Sequence, residues 1–193
     1  MNDNSFRTAG ILVFVNLFII ALILIITFLS MNNTGIIKIA LLFCHLYLTI
    51  KILDFLKLYI NSTYQYNKSD RIIDICKICY IIQIMFTNIV IMGIIADIGF
   101  LKNQYIILIL PFLISVPVSI NPFGLFLILL SIRLFNIYQS MDIYFRVFLF
   151  ATLFYGFTSI SFVFGPLSIF IGLVSKIFLG MIFLRPEREV EFV

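Results

Sequence analysis

Charge is what this sequence has least of: 11% of its 193 residues are Asp, Glu, Lys or Arg, while 63% are hydrophobic, against roughly a quarter and about half in an average soluble domain. No water-soluble core absorbs that excess. Catalytic vocabulary is equally thin. The one histidine, His45, lies far from any convincing nucleophile, and neither a Ser-His-Asp grouping, an HExxH motif nor a Gly-rich phosphate loop occurs. Soluble active-site chemistry and intramembrane proteolysis therefore have no footing. Cys44, Cys76 and Cys79 lie inside or beside apolar runs, where a small buried thiol is the ordinary outcome, so neither a disulfide scaffold nor a metal centre is expected. The net charge of +4 is spread over loops and helix ends without a basic cluster, which argues against nucleic acid as a partner. Tryptophan is absent and Ile, Phe, Tyr and Asn are common; their codons are AT-rich, which points to an organellar or microbial genome of that composition.

What is present is a succession of long apolar runs. A transmembrane helix needs about 20 mostly apolar residues, so six or seven such segments would use nearly the whole chain. The expected fold is all-α: one polytopic transmembrane domain over residues 1–193, with about six helices (roughly five to seven) and polar tails at 1–10 and 185–193. Membrane lipids are its expected surroundings. The first run, Ile11 to Ser30, is too long for a signal peptide and is followed by more runs, so it reads as a permanent span; its first half carries one polar side chain, Asn16.

The second span, from Ile36 to about Ile60, carries Lys38, His45, Lys51, Asp54 and Lys57. The spacing of the last three lets Asp54 pair with a lysine on its own helix, or lets the lysines snorkel to water at an interfacial end. His45 is too deep to snorkel and is read as hydrogen-bonded to a neighbouring helix, with haem or metal ligation as the alternative. Between Asn61 and Arg71 the stretch NSTYQYNKSDR is the only extended polar segment, and the positive-inside rule places it in the cytoplasm or mitochondrial matrix. A third span runs from about Ile72 to Phe100, with an interfacial Asp74 and Lys77 pair near its start and Asp97 near its end.

The next stretch is irregular. Tyr105 to Ile120 contains Pro111 and Pro117, residues 121–124 read NPFG as a turn, and Leu125 to Ile137 is another short run. The pair is expected to form a tilted, Pro-broken helical hairpin, whose backbone must be covered by protein or a water cavity. Arg133 sits within its second half. Such an arginine either faces protein, water or a carboxylate at mid-depth or caps a helix end at the headgroups. Two further runs, Phe145 to Phe164 and Leu167 to Leu184, are separated by Gly165 and Pro166, and the tail reads RPEREVEFV. Whether that tail shares a side with the polar loop depends on how many crossings the irregular pair makes.

The stretch Pro122 to Asn136, PFGLFLILLSIRLFN, resembles in its core LSIRLFN the arginine helix of subunit a of the F-type ATP synthase. Val163 to Leu184 looks like that family's return helix with its Gly-Pro turn. The resemblance implies a proton-translocating subunit that forms half-channels against a ring of small acidic hairpin subunits, among other ATP synthase subunits. Arg133 would face the ring carboxylates, and Asn136, Gln139, Asp142, Ser175 and Lys176 become candidates for the proton path. It also implies the mitochondrial inner membrane, or a bacterial or archaeal plasma membrane, and a subunit without cofactor or catalytic site of its own. Other classes stay open. His45 and Asp54, in HLYLTIKILDF, loosely resemble the haem-binding anchors of succinate dehydrogenase, so an anchor or structural subunit of a respiratory complex with haem or quinone near His45 is one. A small transporter or channel using Arg133, Asp97 and the broken hairpin is another.

Overall fold

The computed structural model describes residues 3–29, 35–98, 122–160 and 165–185. They form α1 (Asp3–Leu29), α2 (Gly35–Tyr64), α3 (Asp70–Ile98), α4 (Pro122–Leu134), α5 (Ile143–Ile160) and α6 (Gly165–Leu184), with a 3₁₀ segment, Phe135–Ser140, between α4 and α5. Five of these helices, α4 taken with its 3₁₀ continuation, are long and apolar enough to cross a membrane. The expected all-α polytopic membrane protein is what the chain forms. Tyr105 to Ile120, and Glu187, Glu189 and Glu191, lie outside the described residues, as do the side chains of Lys38 and Asp97.

Helix limits differ from the expectation in places with identifiable causes. Residues 3–10, expected to lie in a polar tail, are helical, because Phe6 is buried edge-on to Tyr59 at 5.6 Å and stacked on Phe183 at 6.3 Å. Helix α2 continues past Ile60 to Tyr64 and stops where Gln65 takes a left-handed φ of 51°, the usual way for a helix to end. The NPFG turn signal resolves differently, since Pro122, Phe123 and Gly124 are already the first turn of α4; proline suits that place because its missing N–H has no helical acceptor there. Helix α4 ends at Leu134, and the chain kinks at Ile137 within the 3₁₀ segment.

Aromatic contacts fix which helix ends meet. Tyr59 touches Tyr64, Phe145 and Phe183, with ring centroids 6.0, 5.8 and 5.8 Å away, so the end of α2, the start of α5 and the end of α6 lie together beside Phe6 of α1. Tyr66, in the polar loop, donates to the Arg133 carbonyl at 3.1 Å, and Arg185 pairs with Asp142 at 2.8 Å. The start of the chain, the polar loop, the 3₁₀ segment and Arg185 therefore share one end. The helices run alternately up and down, and Arg185 at the start of the tail is on the same side as the polar loop.

Each helix packs against its neighbours along the chain, and α1 packs against α6, so the bundle closes into a ring. Its outer surface is apolar: Phe18 is 65% exposed, Phe170 is 64% exposed, and Ile82, Leu125 and Phe154 are exposed as well. Such a surface belongs in lipid, not water. Lipid tails are as apolar as the side chains, so burial alone does not draw membrane helices together, and close packing takes that role. At the α4 and α5 contact, Gly124 and Gly156 face one another. A Cβ on Gly156 would lie 2.8 Å from the Gly124 carbonyl oxygen and 2.7 Å from Ile128.

Gly156→Leu is expected to force α4 from α5 and destabilise the fold by about 1–3 kcal/mol, measured as a lower midpoint of thermal unfolding in detergent. Ala151→Leu, on the same helix and only partly buried, should cost much less.

Candidate functional site

Between the helices lies a partly open cavity of about 220 Å³, to which each described helix contributes: Asn16 from α1, His45 from α2, Tyr80 from α3, Leu127 from α4, Tyr155 from α5 and Lys176 from α6. Asn16, His45, Tyr80 and Lys176 each lie roughly two turns or more from either end of their helices. Polar groups at that depth are costly in lipid and mark functional positions or interhelical ties.

His45 is the centre of one such tie. Tyr80 lies edge-on to it, and the Tyr80 hydroxyl meets Nε2 at 2.5 Å. A tyrosine hydroxyl here donates, so Nε2 accepts and Nδ1 carries the proton. Nδ1 donates to Asn16 Oδ1, and Asn16 Nδ2 donates to Thr49 Oγ1 at 3.0 Å. One chain of bonds thus joins α1, α2 and α3, and the reading of His45 as hydrogen-bonded to neighbouring helices holds. Both ring nitrogens are engaged by protein groups.

The other side of the cavity is built from α5 and α6. Thr152 and Ser175, both buried, share a hydrogen bond of 2.8 Å. Beside Ser175, the half-buried Lys176 lines the cavity, and among the described residues it has no carboxylate within ion-pair distance. Gly172, one turn earlier on α6, lets the Tyr155 ring lie against that helix: a Cβ there would meet the ring at 3.0 Å. Among the described residues no Asp or Glu lines the cavity.

No family model, curated protein or solved structure matches this chain. Geometry therefore carries the argument. The candidates for a proton path separate into two groups. Ser175 and Lys176 face the cavity, whereas Arg133, Asn136, Gln139 and Asp142 lie at the polar end and do not line it. Arg133 is exposed in the last turn of α4 and lies within the stretch Phe123–Ser140 that is long and apolar enough to cross a membrane. Asn136 Nδ2 donates to the Tyr66 hydroxyl at 3.3 Å. The Gln139 carbonyl accepts from Arg146 at 3.1 Å, and that guanidinium sits 4.8 Å from the Tyr138 ring centroid. Asp142 is fully engaged: Oδ1 accepts from the Phe145 N–H at 2.8 Å, capping α5, and Oδ2 pairs with Arg185.

The same end carries an ion-pair ladder between α2 and α3. Lys77 lies 2.7 Å from Asp54 and 2.6 Å from Asp74, and Lys57 lies 2.8 Å from Asp74 and 3.8 Å from Asp70. Asp74 and Lys77 pair as the sequence suggests. Asp54, however, reaches Lys77 across the helix contact and not a lysine of its own helix, while Lys51 stands over the Tyr47 ring. These groups are partly exposed, so the ladder aligns two helices and contributes little net stability per pair. Among the described residues no cluster of three His, Cys, Asp or Glu could hold a metal ion. Thr49, Tyr80, Thr152 and Tyr155 are polar cavity residues that sequence reasoning missed. Tyrosine and threonine are ordinary on lipid-facing and packed surfaces alike, and nothing in the sequence singled these out.

His45→Leu should leave the Asn16 carbonyl and the Tyr80 hydroxyl unpaired and lower stability by about 1–3 kcal/mol. Tyr80→Phe, which removes a single bond and leaves the imidazole with its Asn16 partner, should cost less. Thermal unfolding of the two variants in the same detergent checks the order.

Proposed function

We propose that this protein is a small membrane transporter whose translocation path passes through the cavity inside the helix ring. The observation that carries the reading is convergence: five helices bring Asn16, His45, Tyr80, Tyr155 and Lys176 to one cavity at mid-depth, and α4 closes its wall with Leu127 and Leu130. Transport sites of membrane proteins characteristically lie near the bilayer midplane between packed helices. The aromatic cluster of Phe6, Tyr59, Tyr64, Phe145 and Phe183 stands between the cavity and the polar end and serves as the closed gate on that side. Arg7, Lys57, Lys68, Arg71, Arg133 and Arg185 gather at that end, which by the positive-inside rule faces the cytoplasm or, in a mitochondrion, the matrix.

Thiol accessibility tests this reading. With Cys44, Cys76 and Cys79 replaced by Ala, Leu127→Cys and Leu173→Cys place single thiols in the cavity. A membrane-impermeant maleimide should label them from the face opposite the aromatic cluster, and from the loop face only when Tyr59→Ala and Phe183→Ala remove the gate. A cavity sealed from both faces in every variant would sink the transport reading.

A second reading follows from LSIRLFN and has one structural observation behind it. Arg133 is exposed on the ring's outside beside Asn136, where a neighbouring subunit's carboxylate would find a guanidinium that stays charged. In that reading the protein is the proton-channel subunit of an F-type ATP synthase, in the mitochondrial inner membrane or a microbial plasma membrane, facing a ring of acidic hairpin subunits. Arg133→Gln in the assembled complex should abolish proton-driven ATP synthesis and proton flux; normal synthesis with that variant would defeat it.

A further inference from the structure

The hydrogen-bonding inventory of the cavity is lopsided. On the α1 to α3 side, Asn16, His45, Thr49 and Tyr80 satisfy one another, and Thr152 and Ser175 do the same between α5 and α6. What remains is the Lys176 ammonium and the Tyr155 hydroxyl, for which the described residues offer no acceptor. Lysine donates only, and a tyrosine hydroxyl donates readily. The close seating of the Tyr155 ring on Gly172 puts the hydroxyl-bearing ring one turn from Lys176. An ammonium without an anionic partner in a mostly apolar cavity is costly, and among the described residues no carboxylate lines the cavity.

The rest of the lining is apolar, with Leu53, Leu56, Leu127, Leu130, Phe148 and Leu173 forming most of the wall. A ligand that suits both parts has an acid group at one end and a hydrocarbon body at the other. Size limits it further. A closed cavity of about 150 Å³ accepts benzene, so the 220 Å³ of this partly open cavity best fits a body moderately larger. We infer that the cavity takes an amphipathic monocarboxylate of about ten non-hydrogen atoms, its carboxylate held by Lys176 and Tyr155 and its body against the leucine wall. This rests on the cavity being the transporter's substrate site and names the substrate class. A bound carboxylate also stabilises the ammonium beside it, so ligand and lysine each offset the other's desolvation.

The test is equilibrium binding of radiolabelled octanoate to the purified full-length protein in detergent, with octylammonium, octanol and palmitate as competitors. Saturable octanoate binding is expected, with octanol and octylammonium weaker by on the order of tenfold or more, since a charge-assisted contact is lost or reversed. Lys176→Met should weaken octanoate by a similar factor while leaving the protein folded by thermal unfolding, and Lys176→Arg should recover much of the loss. Tyr155→Phe should weaken it by a smaller factor. Weak competition by palmitate supports a free short-chain acid, whereas palmitate binding more tightly than octanoate overturns the size limit and assigns the acid to the bilayer. Equal competition by octylammonium, or unchanged octanoate affinity in Lys176→Met, overturns the proposal. Failure of the transport reading is separable: octanoate bound in a cavity that no thiol reagent reaches makes this a closed binding site, while an accessible cavity without octanoate binding leaves transport standing and removes only the substrate class.

Discussion

The bond chain through His45 is the interaction on which the rest of the ring depends. In lipid, apolar side chains gain almost nothing by exchanging a lipid neighbour for a protein one, so helix partners must be chosen by directional bonds and by close approach. Tyr80, His45, Asn16 and Thr49 choose α1, α2 and α3 for one another, and the Thr152 to Ser175 bond does the same for α5 and α6. With those registers fixed, the Gly124 and Gly156 contact draws α4 onto α5. The Phe6 stack on Phe183 then closes α1 onto α6.

Polar chemistry is divided between two depths with different physical character. At the loop end, ion pairs such as Lys77 with Asp54 and Asp74 stand in partial contact with solvent and their charges are mutually compensated. Inside the ring the polar groups are mostly neutral and pairwise satisfied, and among the described residues Lys176 faces the cavity with no carboxylate beside it. An uncompensated charge is tolerable at that depth only beside water or a ligand of opposite sign. This contrast separates a structural rim from a centre available for binding.

Much of the architecture is legible in the chain because the bilayer imposes so strong a length rule. Apolar runs of sufficient length announce the spans beginning near Ile11, Ile36 and Leu167, and the helices found there confirm them. The limits that were misread share one cause. Phe6, the residues after Ile60, and Pro122 to Gly124 look like tail, loop and turn by composition, yet aromatic packing and the tolerance of a first helical turn for proline make them helical. The site was less legible. Arg133 stands out in sequence because arginine is rare in an apolar run, but only the structure shows that it does not line the cavity.

The sequence by itself determined that this chain is a helical membrane protein, where most of its crossings lie, and that His45 must find a partner on another helix, because hydrocarbon leaves backbone and side-chain polar groups no water to bind. Only the tertiary structure decided which partner that is, that Asp54 reaches Lys77 across the helix contact, and that Lys176 shares a cavity with Tyr155 and His45. Those facts depend on the rotation and register of one helix against the next. Rotation and register are set by contacts between residues distant in the chain, and hydropathy along a single apolar run carries almost no information about them.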